Sequence, residues 1–295
     1  MRSNPVYRRE RAVRARSLRI PLIVFVFNGL LAAVALLGMY SAVEHVKASS
    51  FIQYSNFLQL YVFVVTLEFL MLIFIMPALT SGSISGERER RTLELLFTTR
   101  MPPGKIVTGK LCSAFGQLFL LIVSSFPVVV LTFVYGSMSV QDIGLLFLCY
   151  VTAALLTGGI GILFSCLMRR STLANVCTYG VLLLLMAGTY MLNVFLYGIS
   201  RTKADSMLPV AGQLRPAADS GAAVYLLLLN PGTTFIEILG SQAVGSVDGM
   251  LISSFLGNRP LNVVTGNWIL VSLGVQLLLA VCLIWGAILL LKRRE

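Results

Sequence analysis

Gly104, Gly109 and Lys110 stand at the spacing G-x-x-x-x-G-K, in which backbone N–H groups and one ammonium can cradle the phosphates of a nucleotide. The next residue is Leu111, where a Ser or Thr hydroxyl would hold magnesium. The segment follows Pro102-Pro103 and opens an apolar run, so the strand that should precede such a loop is missing. The match reads as chance, and the chain is expected to have no ATPase of its own. The single histidine, His45, stands beside Glu44 with no further ligand or base nearby. Cys112, Cys149, Cys166, Cys177 and Cys282 all fall inside apolar runs, none at metal-ligand spacing, and read as small buried hydrophobes. No H-E-x-x-H or G-x-S-x-G occurs. No catalytic residue, metal site or cofactor is expected in this chain.

Glu68 is the one carboxylate within the apolar runs long enough to span a membrane, at Val64-Val65-Thr66-Leu67-Glu68-Phe69-Leu70. At bilayer depth such a group costs about 2.5 to 3.5 kcal/mol on insertion scales, so it should face protein or water. No Lys or Arg stands mid-run elsewhere, which leaves Asn28, Gln117, Asn175, Asn193 and Gln276 as candidate hydrogen-bond partners. Glu68 is therefore a candidate pathway or subunit-interface residue; the structural alternative is a protonated packing residue.

The elements that must position these groups follow from composition. Of 295 residues, 57% are hydrophobic and 12% charged, against about 25% charged in an ordinary soluble domain. Apolar surface on that scale needs lipid as its solvent. A spanning helix takes about 20 mostly apolar residues. Six runs qualify, at 20–40, 57–80, 106–136, 143–168, 172–198 and 268–291. The reading is an all-α integral membrane protein with one transmembrane domain over 1–295: a cytoplasmic arm at 1–19, a six-helix bundle at 20–291 and a tail at 292–295. The first run is too long for a leader core, and no cleavage signal follows it.

The net charge of +11 is arranged by side. Of the 23 Lys and Arg, only Lys47, Arg201, Lys203, Arg215 and Arg259 fall on one face of this topology. The others lie in the arm, between spans two and three, at Arg169-Arg170, and in the tail. Insertion favours the cation-rich face in the cytoplasm, so both termini are expected inside a multi-pass cell (plasma) membrane protein. Cations clustered between apolar runs point to anionic lipid headgroups as partners, not to nucleic acid. Arginines interleaved with Val6, Val13 and Leu18 make the arm an expected amphipathic helix on the inner leaflet. In the large outer loop, the apolar stretches 222–229 and 233–239 are too short to span and are broken by Asn230-Pro231-Gly232. They read as short re-entrant helices before the last span.

Between spans two and three, Ser81 to Ser85 precede Glu87, Arg88 and Glu89, then Thr92, Leu93, Glu94, Leu95, Leu96 and Phe97. Serines can cap a helix, and the glutamates suit its positive end. Glu87 and Arg91 stand four apart in the favourable order. Met101-Pro102-Pro103-Gly104 stops the pattern. The expectation is a helix over 86–99 on the cytoplasmic surface, held between two spans, which a partner could grip and move.

The run Ser85-Gly86-Glu87-Arg88-Glu89-Arg90-Arg91-Thr92-Leu93-Glu94-Leu95-Leu96, with Thr98-Thr99 and Gly109-Lys110, resembles the coupling-helix signature of ABC-2 type permeases. The opening Asn4-Pro5-Val6 and the six-span layout are similar to that family as well. The resemblance implies the membrane subunit of a type-2 ABC exporter. It implies a second permease subunit, identical or not, and separate ABC ATPase subunits that bind ATP and magnesium. It implies an ATPase contact through Glu87, Arg88, Thr92, Glu94, Leu95 and Leu96. The rival readings are an ion-driven secondary transporter with Glu68 as its proton site, and a non-transporting membrane scaffold.

Overall fold

Apolar runs that cross about 30 Å of hydrocarbon must satisfy their own backbone N–H and C=O groups, and a helix does so within one segment. The computed structural model describes residues 7, 10, 19–49, 54–92, 101–136, 140–206, 218–244, 250–257 and 262–293. Among these it holds helices and no strand. In order they are α1 (Arg19–Ser49), α2 (Tyr54–Ser81), the short α3 (Ser85–Glu89), α4 (Pro103–Gly136) and α5 (Val140–Leu167). A fifth long rod follows, made of α6 (Ser171–Leu183), a π turn (Leu184–Gly188) and α7 (Thr189–Ser206). A 3-10 helix (Gly221–Leu229), α8 (Pro231–Val244), α9 (Met250–Leu256), α10 (Val263–Gly266) and α11 (Trp268–Lys292) complete the chain.

Six of these helices are long and apolar enough to cross a membrane. They are the six runs expected from the sequence, with moved ends. The first continues past Tyr40 to Ser49 and takes in His45, and the fifth continues past Gly198 to Ser206. Of the N-terminal arm only Tyr7 and Glu10 precede Arg19 among the described residues. The rest of the expected interfacial helix lies outside them.

The chain divides into two compact units. The first holds Met1–Ser139, Thr157–Thr178 and Val281–Glu295. Here α1, α2 and α4 pack on one another, burying Leu31, Val64, Val65, Met76, Ile106 and Val107. Gly158 and Gly161 let α5 approach α2 closely. A Cβ on Gly161 would stand 2.1 Å from Thr80 Oγ1 and 3.2 Å from the Ser81 backbone nitrogen. One on Gly158 would stand 2.5 Å from Met76 Cε.

The second unit holds Val140–Leu156 and Tyr179–Ala280. The 3-10 helix and α8 meet at a bend of 94°. Such a bend frees backbone groups, and the unit buries side chains that satisfy them. Asn230 at the corner accepts from the Gly232 N–H at 2.9 Å. Its amide donates to the Met186 carbonyl at 2.8 Å and to Thr189 Oγ1 at 2.9 Å. Asn230 thus ties the corner to the π turn, where the helical ladder shifts register. The Leu228 carbonyl accepts from Ser272 and Gln276 of α11, and the Leu227 carbonyl from Thr233. Around them Val224, Leu227, Leu228, Ile252, Phe255 and Trp268 form an apolar cluster. Tyr190 and Tyr197 meet Phe255 edge to face.

Candidate functional site

The site is built where α2 ends. After Ser81 the chain turns through Gly82, Ser83 and Ile84 into α3. No side chain within the segment caps this helix. Its first N–H groups are met from α5 instead: Ser165 Oγ accepts from the Ile84 N–H at 2.8 Å and from the Ser85 N–H at 3.0 Å. Ile84 and Ser85 are buried beneath. The serines preceding the turn are therefore not its caps, contrary to the sequence expectation.

Three consecutive side chains then reach three different places. Glu87 Oε1 accepts from the Lys110 ammonium of α4 at 2.8 Å. The Arg88 guanidinium donates to the Met168 carbonyl at 2.9 Å and to the Cys166 carbonyl at 3.3 Å, at the C-terminal end of α5. The last carbonyls of a helix lack intrahelical donors and carry its negative end, so a cation there is doubly favoured. Glu89 does the converse at α6: its carboxylate accepts from the Ser171 N–H at 3.2 Å and from the Ser171 hydroxyl at 2.6 Å. An anion at the first turn of a helix suits the positive end. The favourably spaced Arg91 is not the partner the structure gives Glu87.

The helix ends sooner than the sequence suggests. Arg91 takes a left-handed conformation with φ 56°. The Thr92 N–H donates to the Glu87 carbonyl at 2.9 Å and the Arg91 N–H to the Arg88 carbonyl at 3.0 Å. This paired closure satisfies the final carbonyls and turns the chain away; a glycine usually occupies that position. The continuous helix expected over 86–99 is thus broken at Arg91. Glu94, Leu95 and Leu96, with the rest of 93–100, lie outside the described residues. Glu89 to Thr92 are exposed, whereas Glu87 and Arg88 are half-buried.

A family model for an ABC-2 family transporter protein matches residues 21–289. This chain belongs to that family. No curated protein matches its sequence. It is therefore a multi-pass membrane permease of an ABC transporter, and the family implies association with ABC ATPase subunits.

In this ABC-2 permease Glu68 is buried on α2 and accepts from the Ser125 hydroxyl of α4. Four of the partners suggested by the sequence are engaged elsewhere. Asn28 donates to Ser124 Oγ at 2.8 Å, Asn175 bonds Ser81, Asn193 accepts from Ser220 Oγ at 2.9 Å, and Gln276 donates to Thr234 Oγ1 at 2.8 Å. Glu10, Ser165, Ser171 and Ser125 were the residues sequence reasoning missed, and the structural partners of Lys110 and Glu89 were missed with them. Lys110 did carry a signal, as a cation a few residues inside an apolar helix. All three ammonium hydrogens go to protein oxygens, on Glu10, Ser83 and Glu87. They are not presented to a phosphate.

Proposed function

We propose that this permease is half of an ABC exporter, driven by a separate cytoplasmic ATPase that grips the 86–99 segment. The observation that carries the reading is the triple tie of α3. Glu87 binds α4, Arg88 binds the end of α5, and Glu89 binds the start of α6. A segment fixed to three spans cannot be displaced without loading all three. Glu87 and Arg88 then work from inside, positioning the segment. Thr92, Glu94, Leu95 and Leu96 supply the face toward the ATPase. Both termini lie in the cytoplasm of a plasma-membrane protein, beside anionic headgroups, as the cation distribution favours. A second permease copy or a sister subunit completes the pathway. The corner at Asn230, with its backbone satisfied by buried side chains, suits a re-entrant pair in the outer leaflet.

The test is co-purification of the ATPase together with export from intact cells, membrane insertion being checked separately. Leu95→Asp, which would bury a lone charge in an apolar groove, is expected to insert normally and to lose the ATPase. Normal association and normal export in Leu95→Asp and Leu96→Asp together would remove the coupling assignment.

A further inference from the structure

Lys110 is buried, two turns into α4. A buried ammonium is tolerated only when its charge and its donors are met. Here its three hydrogens go to three separate stretches of chain. Glu10 Oε1 of the N-terminal arm accepts at 3.1 Å, the Ser83 carbonyl of the turn closing α2 at 2.8 Å, and Glu87 Oε1 of α3 at 2.8 Å. The arm touches α4 again nearby, where the Tyr7 hydroxyl stands 3.7 Å from a Cβ placed on Gly116. A helix that had only to cross the membrane would gain nothing by burying this cation.

We propose that Lys110 is a positioning residue that transmits movement of α3 to span α4 and to the N-terminal arm. This rests on the reading that an ATPase moves the 86–99 segment. Displacing α3 draws Glu87 away from Lys110. Separation would strand a buried cation between unmatched acceptors, so α4 follows. The arm follows too, because Glu10 holds the same ammonium.

The test uses the full chain co-purified with its ATPase in lipid vesicles. A cysteine is placed at Thr108, exposed on α4 beside Lys110, with Cys112 and Cys282 changed to Ser. Its maleimide labelling rate is measured with and without ATP plus vanadate. The otherwise wild-type chain is expected to show a change in rate. Lys110→Met with Glu10→Gln, which leaves no second carboxylate beside Glu87, is expected to insert, retain the ATPase and lose the change. Glu10→Gln alone is expected to keep it. Where the double variant fails to insert, Lys110→Arg serves. It retains the charge, but its larger, planar head cannot reproduce the tetrahedral spread of a buried ammonium over these three acceptors, and the change should shrink. A change equal to wild type in an inserted, ATPase-bound Lys110 variant overturns this inference and leaves the coupling reading intact. No change in the wild-type background, with no ATPase in the preparation, overturns both.

Discussion

The Arg88 guanidinium caps the end of α5, donating to the Met168 carbonyl across 80 residues of sequence. The same fork reaches the Cys166 carbonyl with both terminal nitrogens. Hydrogen bonds from a charged group contribute about 1.5 to 3 kcal/mol. Arg88→Ala is therefore expected to lower the unfolding midpoint of the purified permease and to weaken ATP-driven export. Arg88→Lys should recover only part of each, because one ammonium nitrogen does not reproduce the reach of two separated, coplanar guanidinium nitrogens. Full recovery by Lys in a thermal melt would show that charge alone suffices there.

Glu68 and Ser125 give a second contrast. Gln at 68 retains an acceptor for the Ser125 hydroxyl, so Glu68→Gln should insert and melt like wild type. If Glu68 serves the pathway, export falls in that variant. Export measured at the wild-type rate would assign Glu68 to packing and dismiss the ion-driven alternative with it.

Close approach of α5 to α2 predicts a sharp difference between two glycines. A Cβ at Gly161 meets Thr80 and the Ser81 backbone, whereas one at Gly180 meets nothing within 4 Å. Gly161→Ala should cost about 1 to 3 kcal/mol by overpacking. Gly180→Ala should be neutral or stabilising, since Ala favours a helix over Gly by about 1 kcal/mol. Equal melting temperatures for the two variants would refute the tight contact.

Topology can be read chemically. Cysteines placed at Thr99 and at Arg259 should react with an impermeant thiol reagent from opposite sides of the membrane, because the cations are so unequally divided. Reaction of both from one side would discard the six-span arrangement.

The isolated chain should hydrolyse no ATP. Lys110 spends its hydrogens on Glu10, Ser83 and Glu87, and no strand or hydroxyl completes a phosphate loop. Steady phosphate release by the purified permease, abolished by Lys110→Ala, would contradict this.

The six spans were legible in the sequence because lipid imposes a one-dimensional rule. A run of apolar residues long enough to cross must be helical whatever surrounds it. The break at Asn230-Pro231-Gly232 was legible too, since that tripeptide disfavours a continuous helix by its local chemistry. The close approach of α5 to α2 at Gly158 and Gly161 came from the structure, where a Cβ at either position would collide with Met76 or Thr80. The termination of α3 at Arg91 was not legible. The position takes the left-handed backbone without the glycine that usually marks it. The π turn at Leu184–Gly188 has an apolar composition no different from the helix around it. Partner choice was least legible of all. Lys110 and Glu10 stand 100 residues apart, and Arg88 and Met168 80. An isolated sequence marks which groups need partners, because burial makes unmet charge costly. Which partner each one meets depends on where separate helices end in space, and only the tertiary structure decides that.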